Sequence, residues 1–116
     1  MIRSVLAGLL TMAMAAPAMA EQIISDRAAF VSAVGDRTLS RQLQRFTVRS
    51  DGSVSGTASG RELTGNWDWQ DGMLCWNLRW GGRLLQQDCQ SVAVEGGTVL
   101  LTARSGAGQT AAYRIE

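Results

Sequence analysis

The chain has 116 residues, with eleven basic residues, all arginine, against ten carboxylates, and it contains neither histidine nor lysine. A formal charge of +1 gives no electrostatic basis for a nucleic-acid partner. The missing residue types exclude Ser-His and Cys-His nucleophile pairs and Schiff-base chemistry.

The first twenty residues, MIRSVLAGLLTMAMAAPAMA, are built like a secretory signal peptide. Arg3 supplies a positive start, Val5 to Ala16 is uncharged and apolar, and Ala18 and Ala20 place small residues at −3 and −1 of a cleavage site after Ala20. The apolar run, about 12–16 residues, is short of the roughly 20 that span a bilayer, so no membrane span is expected after cleavage. The expected mature chain, Glu21 to Glu116, is one small domain, and loss of Arg3 brings its formal charge to zero. Periplasmic or secreted localisation follows.

The segment SDRAAFVSAVGDR reads as one short helix, capped by Ser25 or Asp26 and ended at Gly35. Beyond Leu39, glycine-containing turns recur at Ser50-Asp51-Gly52, Ser59-Gly60-Arg61, Asp71-Gly72, Gly81-Gly82, Gly96-Gly97 and Gly106-Ala107-Gly108. This rhythm predicts up to seven strands, at about 40–49, 53–59, 62–70, 73–80, 84–94, 98–104 and 109–115. Pro17 is the only proline and lies in the leader, so no strand is interrupted. A mainly β fold is expected: a small antiparallel meander or barrel of about seven strands, 21–116, with the helix covering an end or a face. Closure or covering is needed because an open meander exposes two edges.

All four tryptophans lie between positions 67 and 80. Asp71-Gly72 is a two-residue hairpin signal, which sets Gln70 against Met73, Trp69 against Leu74, Asp68 against Cys75 and Trp67 against Trp76. Opposed residues share a face. One face therefore carries Leu63, Gly65, Trp67, Trp69, Leu74, Trp76, Leu78 and Trp80, and the other is polar apart from Met73 and Cys75. In the preceding hairpin Val48 opposes Val54, with Phe46, Gly56 and Ala58 on the same face.

Two cysteines in an exported chain predict one disulfide, Cys75–Cys89. Two thiols without histidine make a poor zinc site, and thirteen intervening residues are not a C-x-x-C redox pair. If Gly81-Gly82-Arg83 is a three-residue loop, Trp80 faces Leu84 and Cys75 faces Cys89. That register also puts Gln86 and Asp88 on the tryptophan face. Either a bulge shifts the strand midway, or the interior contains polar groups. In the second case Trp67, Trp69, Trp76, Trp80, Gln86 and Asp88 would line a ligand cavity. Plain packing is the competing role for the tryptophans, because four of them supply enough apolar area for a core this size.

Catalytic groups are scarce. Asp68 and Asp88 fall on opposite faces, Asp51 and Asp71 are turn residues, and Asp26 is a helix cap. No strand-to-helix glycine loop offers a nucleotide site, so no catalytic residue, metal or cofactor is expected.

The run GNWDWQDGMLCWNLRWGGRLLQQDCQ resembles a group of short exported bacterial proteins with the pattern G-x-W-x-W-x-D-G-x-x-C…W-G-x-x-x-x-x-x-D-C-Q. Such proteins often bear the name dihydrodipicolinate reductase. Enzymes of that activity look like two-domain proteins with a Rossmann fingerprint and a His- and Lys-bearing site, all of which this chain lacks. A looser resemblance links Gly65-Asn66-Trp67 and Cys75 to small periplasmic inhibitors of proteases or lysozyme, which look like disulfide-bonded β-barrels.

The expectation is thus an exported, non-catalytic β-domain that binds a protein partner or a small apolar ligand. The alternatives are a periplasmic protease or lysozyme inhibitor, the reductase activity of the shared name, and an envelope component whose strand 109–115 offers a free edge.

Overall fold

Turns with positive φ cut the chain into short antiparallel strands, and the strands close on themselves. The computed structural model describes Gly8 and residues 20–116. Apart from Gly8 and Ala20, the expected signal peptide lies outside the described residues. In chain order the elements are β1 (Gln22–Ile24), α1 (Arg27–Val34), β2 (Thr38–Arg41), β3 (Gln44–Val48), β4 (Ser53–Ala58) and β5 (Arg61–Gln70). There follow β6 (Met73–Trp80), β7 (Arg83–Leu84), β8 (Asp88–Glu95), β9 (Thr98–Thr102), a 3-10 turn at Arg104–Gly106 and β10 (Thr110–Ile115).

Eight of these strands form a closed antiparallel circuit, β8-β9-β10-β2-β3-β4-β5-β6, with β6 pairing back to β8. Two short strands complete the wall: β1 pairs with the second half of β8, and β7 folds back on the end of β6. The β5–β6 register is the one expected from Asp71-Gly72, whose φ values of 51° and 75° suit a hairpin turn. Cys75 lies opposite Cys89 and is bonded to it, with Cα atoms 4.0 Å apart.

Four local expectations are corrected. The predicted strand 40–49 is two strands, because Gln42 and Leu43 make a turn with Leu43 at φ 64°. Leucine is an unusual residue in the left-handed region, so no turn signal marks the site. The Gly81-Gly82 turn is two residues long, not three: Trp80 faces Arg83 and Arg79 faces Leu84. The cysteine seam is one residue out of step with that register, and the extra residue is absorbed in a break at 85–87. Strand 84–94 is thereby split, and Leu85, not Gln86, takes the inward position. Finally, β10 pairs with β9 on one side and β2 on the other, so it offers no free edge.

Inward positions carry Leu39, Phe46, Val48, Val54, Leu63, Trp67, Leu74, Trp76, Leu78, Val92, Val99, Leu101 and Tyr113, all buried. Outward positions include Ser40, Arg45, Thr47, Ser55, Thr57, Thr64, Asn66 and Asn77. A barrel that crosses a bilayer has the reverse polarity, with its apolar band facing out. No helix among the described residues is long and apolar enough to cross a membrane.

The helix seals one end. Asp26 caps it, accepting the Ala29 amide at 2.8 Å, and Phe30 and Val34 are fully buried. Gly35 donates to the Val31 carbonyl but keeps φ −59°; the left-handed residue is Asp36, at φ 62°. Glycine is still required at 35, since a Cβ there would lie 2.6 Å from the Val31 oxygen. Asp36 then uses its carboxylate to hold the β3–β4 turn, accepting from the Ser50 amide at 2.9 Å and hydroxyl at 2.8 Å.

Two predictions follow from closure. The Cys75–Cys89 bond reinforces a seam of three residue pairs, so Cys75→Ala/Cys89→Ala lowers unfolding free energy by about 3 kcal/mol, the chain-entropy value for a loop this size. Urea titration measures it; an unchanged midpoint would mean the seam holds without the bond. Neighbouring strands also come close at Gly56 and Gly65, where a Cβ would overlap the carbonyl oxygens of Arg45 and Asn77. Gly65→Ala should therefore cost roughly 1–3 kcal/mol by overpacking. Gly97→Ala, with open space at its Cβ, should stay within about 0.5 kcal/mol of the parent.

Candidate functional site

The six residues expected to share one cavity are divided among three places. At the helix end, Phe30 packs edge-on to Trp67 and stacks on Trp69, both at 5.2 Å between ring centroids. Trp67 donates its indole N–H to the Arg49 carbonyl at 2.6 Å, and Trp69 donates to that of Ser25 at 3.4 Å. The Arg27 guanidinium lies 4.8 Å from the Trp67 ring. These two tryptophans belong to the plug.

Trp76 and Trp80 lie towards the opposite end, which no helix among the described residues covers. They line a cavity of about 310 Å³ together with Gln44, Phe46, Ala58, Ser59, Leu63, Leu78, Leu85 and Tyr113. Its geometry follows from pairing. Gln44 opposes Ala58, Phe46 opposes Gly56, and Gly56 opposes Leu63, so small residues on β4 leave room beside large ones on β3 and β5. Phe46 meets Trp76 edge-on at 5.8 Å and Tyr113 at 5.1 Å. Trp80 is anchored through its indole N–H to the Ala58 carbonyl at 2.7 Å, and the Tyr113 hydroxyl donates to Gln44 Oε1 at 2.9 Å. Burial raises the Tyr113 hydroxyl pKa above its usual 10.0, an effect opposed by the neighbouring Arg41.

Gln86 and Asp88 form a third feature, a polar notch of about 340 Å³ with Gln87 and Arg104. Asp88 does face inward, opposite Trp76, but its carboxylate accepts the Arg104 amide at 3.1 and 3.3 Å and the Gln90 side chain at 3.3 Å. That contact steadies a loop in which Arg104 and Ser105 both adopt positive φ, 55° and 56°. Asp68 points outward, paired with Cys75, so the two carboxylates do not converge.

Leu85, Tyr113, Gln44 and the arginines at the rim escape a reading of the sequence. The share of Phe46 and Ala58 in the tryptophan face is visible from their hairpin, but Tyr113 reaches the cavity only because β10 closes on β2. Leu85 enters only because of the one-residue shift after Trp80. Arg41 lies 5.5 Å from the Tyr113 ring and Arg61 4.9 Å from that of Trp80, each flanking an aromatic wall.

Electrostatics at the plugged end give a pH prediction. Hydrogen bonds from Ser50 lower the Asp36 pKa below 3.8, and those from Ser53 do the same for Asp51. A carboxylate with a depressed folded-state pKa stabilises the fold above its unfolded value, and the contribution disappears as pH falls through the folded pKa. Asp36→Asn keeps an acceptor and tolerates the left-handed backbone but cannot ionise. It should have a lower urea midpoint than the parent at pH 7, with the gap narrowing as pH falls below 3.8; a constant gap would locate the effect elsewhere. Comparison of this chain with protein families, curated proteins and solved structures found no match.

Proposed function

We propose that this chain is an exported, non-catalytic β-barrel that binds a small, largely apolar ligand in the mouth opposite its helix. The observation that carries this reading is the cavity walled by Phe46, Leu63, Trp76, Leu78, Trp80 and Tyr113 at the end the helix leaves open. Its volume is at the lower bound of the roughly 300–1,000 Å³ of small-molecule sites. The lining has the usual composition, mainly aromatic and aliphatic with a few polar groups such as Gln44 and Ser59. Rigid β walls and an anchored Trp80 prepare the site before a ligand arrives. Export is supported by the apolar leader and the disulfide, and the absence of histidine and lysine supports binding over catalysis.

A second reading takes a protein partner at the same end, as an inhibitor would. It is favoured by exposed leucines, Leu43 at 71 % and Leu84 at 62 %, the former at the tip of the β2–β3 turn.

Titration with the neutral fluorophore N-phenyl-1-naphthylamine tests the first reading. Saturable, one-to-one binding is expected. Ala58→Leu, which fills the cavity from β4, should weaken it about tenfold, or 1.4 kcal/mol, with an unchanged urea midpoint. No saturable binding, or equal binding by Ala58→Leu, would overturn it. Stoichiometric loss of lysozyme or trypsin activity on adding the protein would favour the second reading.

A further inference from the structure

The mouth of the barrel is ringed by a chemistry that its apolar wall does not need. Arg41 is the cross-strand partner of Gln44, Arg61 of Ala58, and Arg83 of Trp80. Gln44, Ala58 and Trp80 all line the cavity. Directly opposed residues project from the same face of a sheet, so three arginines occupy terminal inward-facing positions, the last of β2 and the first of β5 and β7. Two are held against the aromatic wall: Arg41 beside Tyr113 at 5.5 Å and Arg61 beside Trp80 at 4.9 Å. A guanidinium over a ring keeps its charge, and an anion at the rim can share it.

Among the described residues no carboxylate forms an ion pair with them. The ion pair found among the described residues is Arg45–Glu116, on the outer wall. Glu62, next in sequence to Arg61, opposes Thr57 on the outer face. Asp88 is the inward carboxylate on this side, and it is engaged by the Arg104 amide and Gln90. Over the whole chain eleven arginines face ten carboxylates, and with three of the arginines set at the mouth the rest of the chain has more carboxylates than arginines, so the triad is a local concentration of positive charge over an apolar pocket.

We infer that the pocket takes a single-chain amphiphile with an anionic head, its chain against Trp76 and Leu78 and its carboxylate or phosphate among Arg41, Arg61 and Arg83. This deepens the ligand-binding reading above and rests on it. The cavity's 310 Å³ corresponds to about ten groups the size of a water molecule, each ~30 Å³, which suits one medium-length chain and not a two-chain lipid. Trp67, Trp69 and Trp80 donate their indole N–H groups to backbone carbonyls. Trp76 makes no such bond among the described residues, and its N–H is not fully sealed from the surface.

The test is competition against N-phenyl-1-naphthylamine at low salt by decanoate, decyl phosphate, decanol and decyltrimethylammonium. Decanoate or decyl phosphate should bind at least about tenfold tighter than the cation, a preference that shrinks as salt screens the rim charges. The better of the two anions identifies a free fatty acid or a phosphate-headed chain. In Arg41→Gln/Arg61→Gln/Arg83→Gln, the anions should lose about tenfold while decanol binds as before, which also shows that the pocket remains formed. Equal binding of anion, alcohol and cation by the parent protein would overturn the anionic-head inference and leave the apolar pocket standing. Failure of all four to displace a dye that does bind would overturn the amphiphile inference alone, and failure of the dye to bind would remove both. Co-sedimentation with phosphatidylglycerol vesicles without binding of monomeric decanoate would overturn the single-chain assignment.

Discussion

Three residue pairs and one disulfide join β6 to β8, and this seam converts a meander into a barrel. Every other strand contact along the circuit links chain neighbours or closes through β10–β2. Without the seam, β6 and β8 would both expose unpaired backbone, and the inward face would have no far wall to pack against. The disulfide lies outside the apolar interior, on the Asp68 face, so it secures closure without taking space from the core. It also stands beside the break at 85–87, where the strand register slips by one residue. A cross-link beside a bulge limits how far the slip can spread.

Closure leaves two ends, and the chain treats them differently. One receives α1, whose Phe30 and Val34 are fully buried and whose Asp26 and Asp36 satisfy backbone donors at the helix start and in the β3–β4 turn. Two tryptophans are consumed there. Among the described residues no helix covers the other end, and its inward residues become the wall of a cavity. The same glycines that let the barrel curl, Gly56 and Gly65, lack the side chains that would otherwise crowd its interior. A packed plug and an open mouth are thus two outcomes of one apolar face, divided by where the helix reaches.

The mouth combines features that neither stability nor solubility requires together. Aromatic walls favour apolar contents, while arginines at terminal inward positions favour an anion at the surface. In a chain with near-neutral overall charge, their shared orientation comes from strand pairing alone. The proposed amphiphile satisfies both halves of the site.

The residues themselves determine the β class, the hairpin rhythm, the β5–β6 register and the cysteine pair. Each is decided by local chemistry: glycine and aspartate at positive φ, strict alternation along a strand, and two thiols with one partner each. The Leu43 turn was not legible, because its backbone is held by tertiary pairing, including Ser59 N–H to the Leu43 carbonyl at 2.7 Å, against the residue's own preference. Nor was the division of the tryptophans. Alternation places Trp67, Trp69, Trp76 and Trp80 on one face but contains no information about which part of that face meets α1. That depends on contacts over long sequence separations, between Phe30 and Trp67 at the plug and between Phe46 and Tyr113 at the mouth. The arginine ring is of the same kind: Arg41, Arg61 and Arg83 are scattered in the chain, and only closure of the barrel turns three strand ends into one rim.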